Sequence, residues 1–259
     1  MKHIKYIAYI SLFLLASCST TKNLPEGEVL YTGIKKIEVT NEDKSKEGEE
    51  ALTEIEAALA YPPNNALLGS SSIRIPLPFG LWMYNAFVNR KGKVGKWIFN
   101  KLASKPVFIN TVNPEVRTKV AYNLLREYGY FNGATSYEVE PDPKNPKKAK
   151  ISYKVEMNNA YTYGIAYVRL RHRIDTLVQR NIGDRLLRDG DNFNVVQLEA
   201  ERQRISSLLR NNGYYYFRPE FISYQADTIM NPGKVALRIS TKPGLPRTCL
   251  LYTSPSPRD

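Results

Sequence analysis

Leu124-Leu125-Arg126-Glu127-Tyr128-Gly129-Tyr130-Phe131 recurs 84 residues later as Leu208-Leu209-Arg210-Asn211-Asn212-Gly213-Tyr214-Tyr215. The same shift continues without a gap. It lays Tyr137-Glu138-Val139 on Phe221-Ile222-Ser223, and Lys150-Ile151-Ser152-Tyr153-Lys154-Val155 on Lys234-Val235-Ala236-Leu237-Arg238-Ile239. Self-similarity at a fixed period marks two copies of one supersecondary unit.

Working outward, Asn113 is the candidate N-cap of a helix with Pro114 at its first position. Val116, Val120, Leu124 and Tyr128 form its apolar row, and Gly129 closes it. In the second copy Asn194 and Gln197 have capping-box spacing, Leu198, Ile205, Leu208 and Leu209 make the stripe, and Gly213 ends the helix. Each helix precedes two predicted strands. In the first copy these are Ala134 to Glu140 and Lys150 to Met157, joined by the turn-rich 141–146. In the second they are Arg218 to Asp227 and Lys234 to Lys242, joined around Asn231-Pro232-Gly233.

Upstream of the second helix, Ala166, Val168, Leu170, His172 and Ile174 alternate with Ile165, Tyr167, Arg169, Arg171 and Arg173. Such alternation predicts a strand with one buried face and one wet, basic face, and a short helix over about 176–188 follows. The first copy has its opening strand at Val29 to Val39 and its first helix at about Gly48 to Ala60. The unit therefore runs strand, helix, helix, strand, strand. This is an α+β arrangement in which a small mixed sheet carries two helices on one face. Between the helices of the first copy lies an insertion, 61–110, with Pro62-Pro63-Asn64-Asn65, Arg74-Ile75-Pro76-Leu77, Trp82-Met83-Tyr84-Asn85 and a predicted helix from Gly95 to Leu102.

The ends of the chain are excluded from the fold. Residues 1–17 have a charged start at Lys2 and Lys5, an apolar stretch from Ile7 to Ala16, and Leu15-Ala16-Ser17 directly before Cys18. This pattern reads as a bacterial lipoprotein signal, with Cys18 the lipid attachment site and 18–28 a tether. The apolar stretch is too short for a spanning helix, which needs about 20 residues. Ser19 to Asn23 holds no acidic cluster. At the other end, 249–259 lacks periodicity and reads as a translated sequencing adapter. The natural chain is expected to continue past Thr248, with 243–248 opening a further repeat.

Composition narrows the chemistry. The 259 residues carry a net charge of +12, which falls to about +10 once Lys2 and Lys5 are removed. Two cysteines and two histidines leave no disulfide framework and no cysteine-pair metal site. Ser19-Thr20-Thr21-Lys22 matches a Ser-x-x-Lys motif only formally, since it falls in the tether. His172 falls on the apolar side of its predicted strand, where a core or edge histidine is the plainer reading. Glu47, Glu49, Glu50, Glu54 and Glu56 read as the solvated face and favourable first turn of a helix. Eighteen tyrosines with excess positive charge would suit single-stranded nucleic acid, but export removes that partner. No catalytic residue, metal or cofactor is expected, and an enzyme is disfavoured.

A repeated β-α-α-β-β unit of about 80 residues behind a lipoprotein signal resembles the polypeptide-transport-associated (POTRA) domains of the BamA/TamA family of outer-membrane assembly proteins. The Gly129-Tyr130-Phe131 and Gly213-Tyr214-Tyr215 steps are similar to those of that unit. Pro63-Asn64-Asn65, Leu81-Trp82-Met83-Tyr84-Asn85 and Lys105-Pro106-Val107 look more specifically like the lipidated TamA-like proteins of Bacteroidota. The likeness spans about 18–248 and implies a first POTRA-like domain at 29–158, with the insertion 61–110, and a second at 159–242. It also implies a C-terminal β-barrel, absent from these residues. The implied function is that of a lipid-anchored periplasmic arm in outer-membrane protein assembly or translocation. Its implied partners are the outer membrane, unfolded outer-membrane proteins and an inner-membrane-spanning TamB-like protein.

In such domains the first strand of the closing hairpin lies at the sheet edge. Ala134, Ser136 and Glu138, with Phe221, Ile222, Ser223 and Tyr224, are therefore the candidate strand-addition residues. Pro219 near the start of the second such strand suits an edge. Arg169, Arg171 and Arg173 form a candidate basic face for acidic head groups or an acidic partner. The alternative is a periplasmic lipoprotein scaffold or envelope adaptor without client insertion. An envelope enzyme acting on glycan or lipid is a third reading, and it would need a carboxylate pair in a cleft.

Overall fold

The computed structural model describes residues 20–64, 78–90, 92–164, 167–170 and 172–245. Residues 1–19, with Cys18 and the signal segment, lie outside the described residues, as do Arg74-Ile75-Pro76-Leu77, Arg171 and 246–259. The chain divides into two compact units. One gathers residues up to Val39 with Ile55–Ala121 and Thr135–Val155, and the other gathers Thr40–Glu54, Tyr122–Ala134 and the chain from Glu156 onward. The α+β expectation holds for the fold.

In the first unit β1 (Leu30–Thr40), β2 (Ala134–Asp142) and β3 (Asn145–Glu156) form a sheet of order β1-β3-β2. The hairpin connection is Pro143-Lys144 alone, shorter than the predicted turn. Two residues can join only antiparallel neighbours, so β2 and β3 run antiparallel. Helix α1 (Lys46–Leu59) buries Ala51, Ile55 and Leu59 at four-residue spacing and leaves Glu47, Glu49, Glu50, Glu54 and Glu56 in solvent. Within the insertion α2 (Phe79–Phe87) and α3 (Lys93–Leu102) pack as a helical hairpin, the latter starting two residues before the predicted helix. A single turn, α4 (Ile109–Val112), leads into α5 (Pro114–Glu127). Asn113 sits at φ 50°, and its side chain accepts from Val116 N–H at 3.3 Å, capping α5 as expected. Arg117 donates to the carbonyls of Ala58 and Ala60 at 2.7 and 2.9 Å, supplying at the α1 C-terminus the cation that its own last turn lacks.

In α5 the buried face is Thr118, Ala121 and Leu125, continued by Tyr128 just past its end, and not the predicted row, whose Val116 and Val120 are exposed. Each step of four residues advances by about 40° around a helix, so the three steps of the predicted row turn it about 120° and carry one end off the core face, whereas mixed steps of three and four stay on it.

In the second unit β4 (Thr162–Tyr163) and β5 (Tyr167–Arg169) pair parallel to β7 (Lys234–Thr241), and β6 (Ile222–Asp227) pairs antiparallel on its other side. The sheet is therefore mixed. Helices α6 (His172–Arg180) and α7 (Val195–Asn211) complete the unit. Ile174, Val178, Leu198, Ile205 and Leu209 share one core with Val235, Leu237, Ile239 and Ile222, so both helices cover one face of the sheet. The N-cap Asn194 accepts from Val196 N–H at 2.7 Å. The expected reciprocal half from Gln197 is replaced by Tyr163, whose hydroxyl receives Asn194 N–H at 3.2 Å and donates to Asn194 C=O at 2.9 Å. Burial pushes the Tyr163 hydroxyl up to about 12, so it stays protonated to serve as that donor.

The predicted opening strand through Ile174 ends at Arg169, and His172 instead begins α6, which ends at Arg180 rather than near 188. Leu170, Ile174 and Val178 are all buried at four-residue spacing, and the Asp175 carboxylate accepts from Leu170 N–H at 3.3 Å. Two periods overlap in this stretch, and the helical one prevails.

The repeat holds at the level of single hydrogen bonds. Tyr130 N–H donates to Leu125 C=O at 2.8 Å and Tyr214 N–H to Leu209 C=O at 3.0 Å, while Gly129 and Gly213 donate to the carbonyls of Arg126 and Arg210. Gly133 N–H to Tyr130 C=O at 3.0 Å is matched by Phe217 N–H to Tyr214 C=O at 2.9 Å. Both glycines are left-handed, at φ 86° and 92°, which the closing turn of each helix requires. A Cβ on Gly129 would also fall 2.8 Å from Phe193 C=O. The equivalent pairs Ala121/Ile205, Leu125/Leu209, Ile151/Val235, Tyr153/Leu237 and Val155/Ile239 are all buried. Leu124 and Leu208 are both half-buried, so the matched core pair lies one residue further on.

Candidate strand-addition edges

A sheet edge can take a new strand only where its backbone groups are free. The outer edge of β1 is partly covered: Tyr31 N–H donates to Val107 C=O and Ile109 N–H to Val29 C=O, both at 2.9 Å. Asn64 holds this cover in place, donating to the carbonyls of Tyr31 at 2.7 Å and Val107 at 3.0 Å, and accepting from Val107 N–H at 2.6 Å. Two motifs that stood apart in the sequence, Pro63-Asn64-Asn65 and Lys105-Pro106-Val107, thus meet. In the second unit the outer edge of β4 is covered likewise. Tyr163 N–H donates to Asp191 C=O, Phe193 N–H to Tyr161 C=O and Gly190 N–H to Tyr163 C=O.

Among the remaining edges, β2 and β6 carry the sequence-predicted residues. In β2 Ala134, Ser136 and Glu138 are exposed, but the strand is blunted by Glu138, Glu140, Pro141 and Asp142. Lys35 on β1 and Ser152 on β3 both donate to the Glu140 carboxylate, tying three strands on one face. The Lys35 hydrogen bond, then that of Ser152, holds this carboxyl below the usual carboxylate range.

In contrast β6 reads Ile222-Ser223-Tyr224-Gln225-Ala226 before its first charge at Asp227. Its parity follows from β7. Thr162 and Gly164 donate to the carbonyls of Gly233 and Val235, so odd-numbered residues of β7 face β4 and even-numbered ones face β6. Lys242 N–H accordingly donates to Phe221 C=O at 2.8 Å. In this register Ser223, Gln225 and Asp227 pair with Ser240, Arg238 and Ala236, while Tyr224 and Ala226 direct N–H and C=O to the open edge. Phe221 belongs to a short 3-10 turn, Pro219–Phe221, and not to the strand. That turn engages Ile222 N–H through Pro219 C=O, so at Ile222 only the carbonyl faces outward.

The side chain of Tyr224 lies on the helix-covered face. Its hydroxyl donates to Leu198 C=O at 2.7 Å, and the Arg202 guanidinium sits 4.9 Å from its ring centroid. Burial raises its pKa above the ordinary tyrosine value. Beyond the strand, Asp227 accepts from Ile229 N–H at 2.8 Å and holds a tip on which Ile229 is 89% exposed. Sequence reasoning passed over Glu201 in α7, which is only 1% exposed and pairs bidentately with Arg204 at 2.7 and 2.8 Å while accepting Leu186 N–H. The available signal was a carboxylate inside the apolar stripe with an arginine three residues on.

Of the basic strand face, Arg169 ends β5, Arg171 lies outside the described residues and Arg173 stands in the first turn of α6, so one strand face does not carry all three. Among the described residues, no group of three or more His, Cys, Asp or Glu is placed to hold a metal ion, and no helix is long and apolar enough to cross a membrane.

Among solved structures, the chain is similar to POTRA domains 3–5 of BamA from Haemophilus influenzae at 11% identity and a TM-score of 0.40, over 86% of this chain and 70% of that one. It is similar to BamA from Haemophilus ducreyi lacking POTRA domains 1–3 at 10% identity and a TM-score of 0.37, over 83% of this chain and 29% of that one. POTRA domains 1–2 of Omp85 from Anabaena give 11% identity and a TM-score of 0.32, over 84% of this chain and 98% of that one. No protein-family model and no curated protein matches the chain.

Proposed function

We propose that this chain is a lipid-anchored periplasmic arm of an outer-membrane protein assembly or translocation factor, organised as two POTRA-like repeats and taking extended clients by strand addition at β6. The supporting observation is the uncharged β6 edge, where Tyr224 and Ala226 present backbone donors and acceptors in a unit whose opposite edge is partly covered by Gly190–Phe193. Main-chain pairing gives affinity without demanding a client sequence, which suits the binding of many unfolded barrels. The exposed Ile229 just beyond the strand offers an apolar contact to the same segment. Cys18 carries the lipid in this reading, and a TamB-like partner is the inner-membrane counterpart.

A photocrosslinking residue at Ala226 tests the client step. It is expected to capture unfolded outer-membrane proteins, and capture should be lost when a free edge-strand peptide competes. Absence of any client adduct at Ala226, with the protein folded, would favour the scaffold reading.

A further inference from the structure

From Ala57 to Pro114 the chain contains no Asp or Glu, while 78–105 alone carries Arg90, Lys91, Lys93, Lys96, Lys101 and Lys105. In sequence these cations fall within and beside the α2–α3 hairpin, which also presents apolar side chains to solvent. Trp97 is 62% exposed, Val94 72% and Phe79 51%. At 100° per residue Val94, Trp97 and Lys101 fall within about 60° of arc on α3. The other side of α3 is spent on packing: the Phe99 ring lies 5.6 Å from that of Tyr84, and Ser104 N–H closes the hairpin on Gly80 C=O at 3.0 Å. An exposed tryptophan among lysines, on a short amphipathic helix, is the composition of an interfacial helix rather than of a core one.

The hairpin is also bound to the start of the mature chain. Asn85 of α2, itself buried, donates to Thr20 C=O at 3.0 Å, accepts Asn23 N–H at 2.9 Å, and its carbonyl receives the Asn23 side chain at 2.6 Å. The segment expected to be a free tether is therefore pinned to α2 at Thr20 and Asn23. Thr20 is two residues from Cys18, a reach of about 7 Å when extended.

We propose that the α2–α3 hairpin docks on the anionic lipid surface of the leaflet that holds the Cys18 acyl chain, with Trp97 and Val94 in the head-group region and the lysines against acidic lipid. The location rests on the lipid-anchor reading, whereas the surface chemistry stands without it. Docking of this kind fixes the orientation of the arm against the membrane, because a lipid holds the chain at one point only and a basic, apolar patch supplies a second point of attachment.

The test uses the mature chain from residue 18 carrying Cys18→Ser, so that no acyl chain contributes. It is titrated with vesicles of phosphatidylcholine alone or mixed with phosphatidylglycerol. Binding to the mixed vesicles should be at least about tenfold tighter and should weaken with added salt. A blue shift of tryptophan emission should accompany it and vanish in Trp97→Phe, which retains Trp82. The double variant Val94→Ser/Trp97→Ser should lose at least about tenfold in binding. Lys93→Gln/Lys96→Gln/Lys101→Gln should remove the preference for anionic vesicles, and both variants should keep the native circular dichroism spectrum. No association with anionic vesicles, or association unchanged in both variants, overturns the proposal and leaves the hairpin to a protein partner. Fatty-acid labelling of Cys18 is scored separately. Vesicle binding without label supports the hairpin surface while removing the anchor, and label without vesicle binding overturns the hairpin alone.

Discussion

Two adjacent proline substitutions in β6 should behave oppositely. Gln225 faces β7 and pairs with Arg238, whereas Ala226 faces the open edge and its side chain is exposed. Gln225→Pro removes a ladder donor and strands the carbonyl opposite, at a cost of about 3 kcal/mol. Ala226→Pro removes no ladder bond, and the restriction that it places on Gln225 favours the extended conformation already present. Its effect on stability should stay within about 1 kcal/mol. With a urea m-value of about 2 kcal/mol/M, the midpoint should fall by about 1.5 M for Gln225→Pro and by less than about 0.5 M for Ala226→Pro. Client crosslinking, read from a probe at the exposed Ile229, should show the reverse pattern of interest: Ala226→Pro, though folded, should lose it, because the edge has lost a donor and gained a ring. Equal destabilisation by the two prolines would refute the parity assigned to β6. A stable Ala226→Pro variant that crosslinks clients as the native chain does would refute strand addition at this edge.

Leu125→Ala and Leu209→Ala, at equivalent fully buried positions, should each cost about 2–5 kcal/mol in urea unfolding, and a cost below about 0.5 kcal/mol at both would break the alignment of the repeats. Glu201→Ala should cost about 3 kcal/mol by leaving Arg204 and Leu186 N–H without their carboxylate, as measured by thermal or urea unfolding. Burial pushes the Asp43 carboxyl up, but the hydrogen bonds from Ser45 and Tyr130 outweigh it and hold the group below its ordinary value. A lowered folded pKa contributes stability that is present above the unfolded value of about 4 and is lost as pH falls through the folded one, so the gap between native chain and Asp43→Asn should be full at pH 7 and shrink on acidification. Labelling with a fatty-acid probe should mark the native chain and fail with Cys18→Ser, and label persisting in that variant would move the attachment elsewhere.

What could be read in advance divides by the range of the interaction. The repeat was legible because Gly129 and Gly213 answer to a local demand, a left-handed residue closing a helix, and because the strand residues that follow alternate against one core. Boundaries decided by competition between two local patterns were not legible. Leu170 to Ile174 satisfies a period of two and a period of four at once, and only burial of Val178 beside Ile174 selects the helix. The same holds in α5, where a row of four apolar residues looked like the core face although two of them, Val116 and Val120, are exposed and Thr118 takes their place.

The candidate site depends on interactions still longer in range. Alternation in Arg218 to Asp227 suggests a strand, but whether Tyr224 or Gln225 faces the open side is decided by a ladder to residues on β7 and by which residues of β7 are already engaged by β4. No pattern within β6 carries that parity. The coverings of the opening strands are equally remote: Asn64 reaches Val107 across the whole insertion, and Asp191 and Phe193 fold back on Tyr161 and Tyr163. These contacts cover parts of the β1 and β4 edges, and its own charges and proline blunt β2, whereas β6 has neither before Asp227. The insertion motifs Asn64 and Val107, quoted first as marks of resemblance, act physically as a lid on β1. Within the second unit, the cover on β4 and the uncharged β6 are two halves of one arrangement, in which pairing is refused along part of the opening strand and left open on the first strand of the closing hairpin.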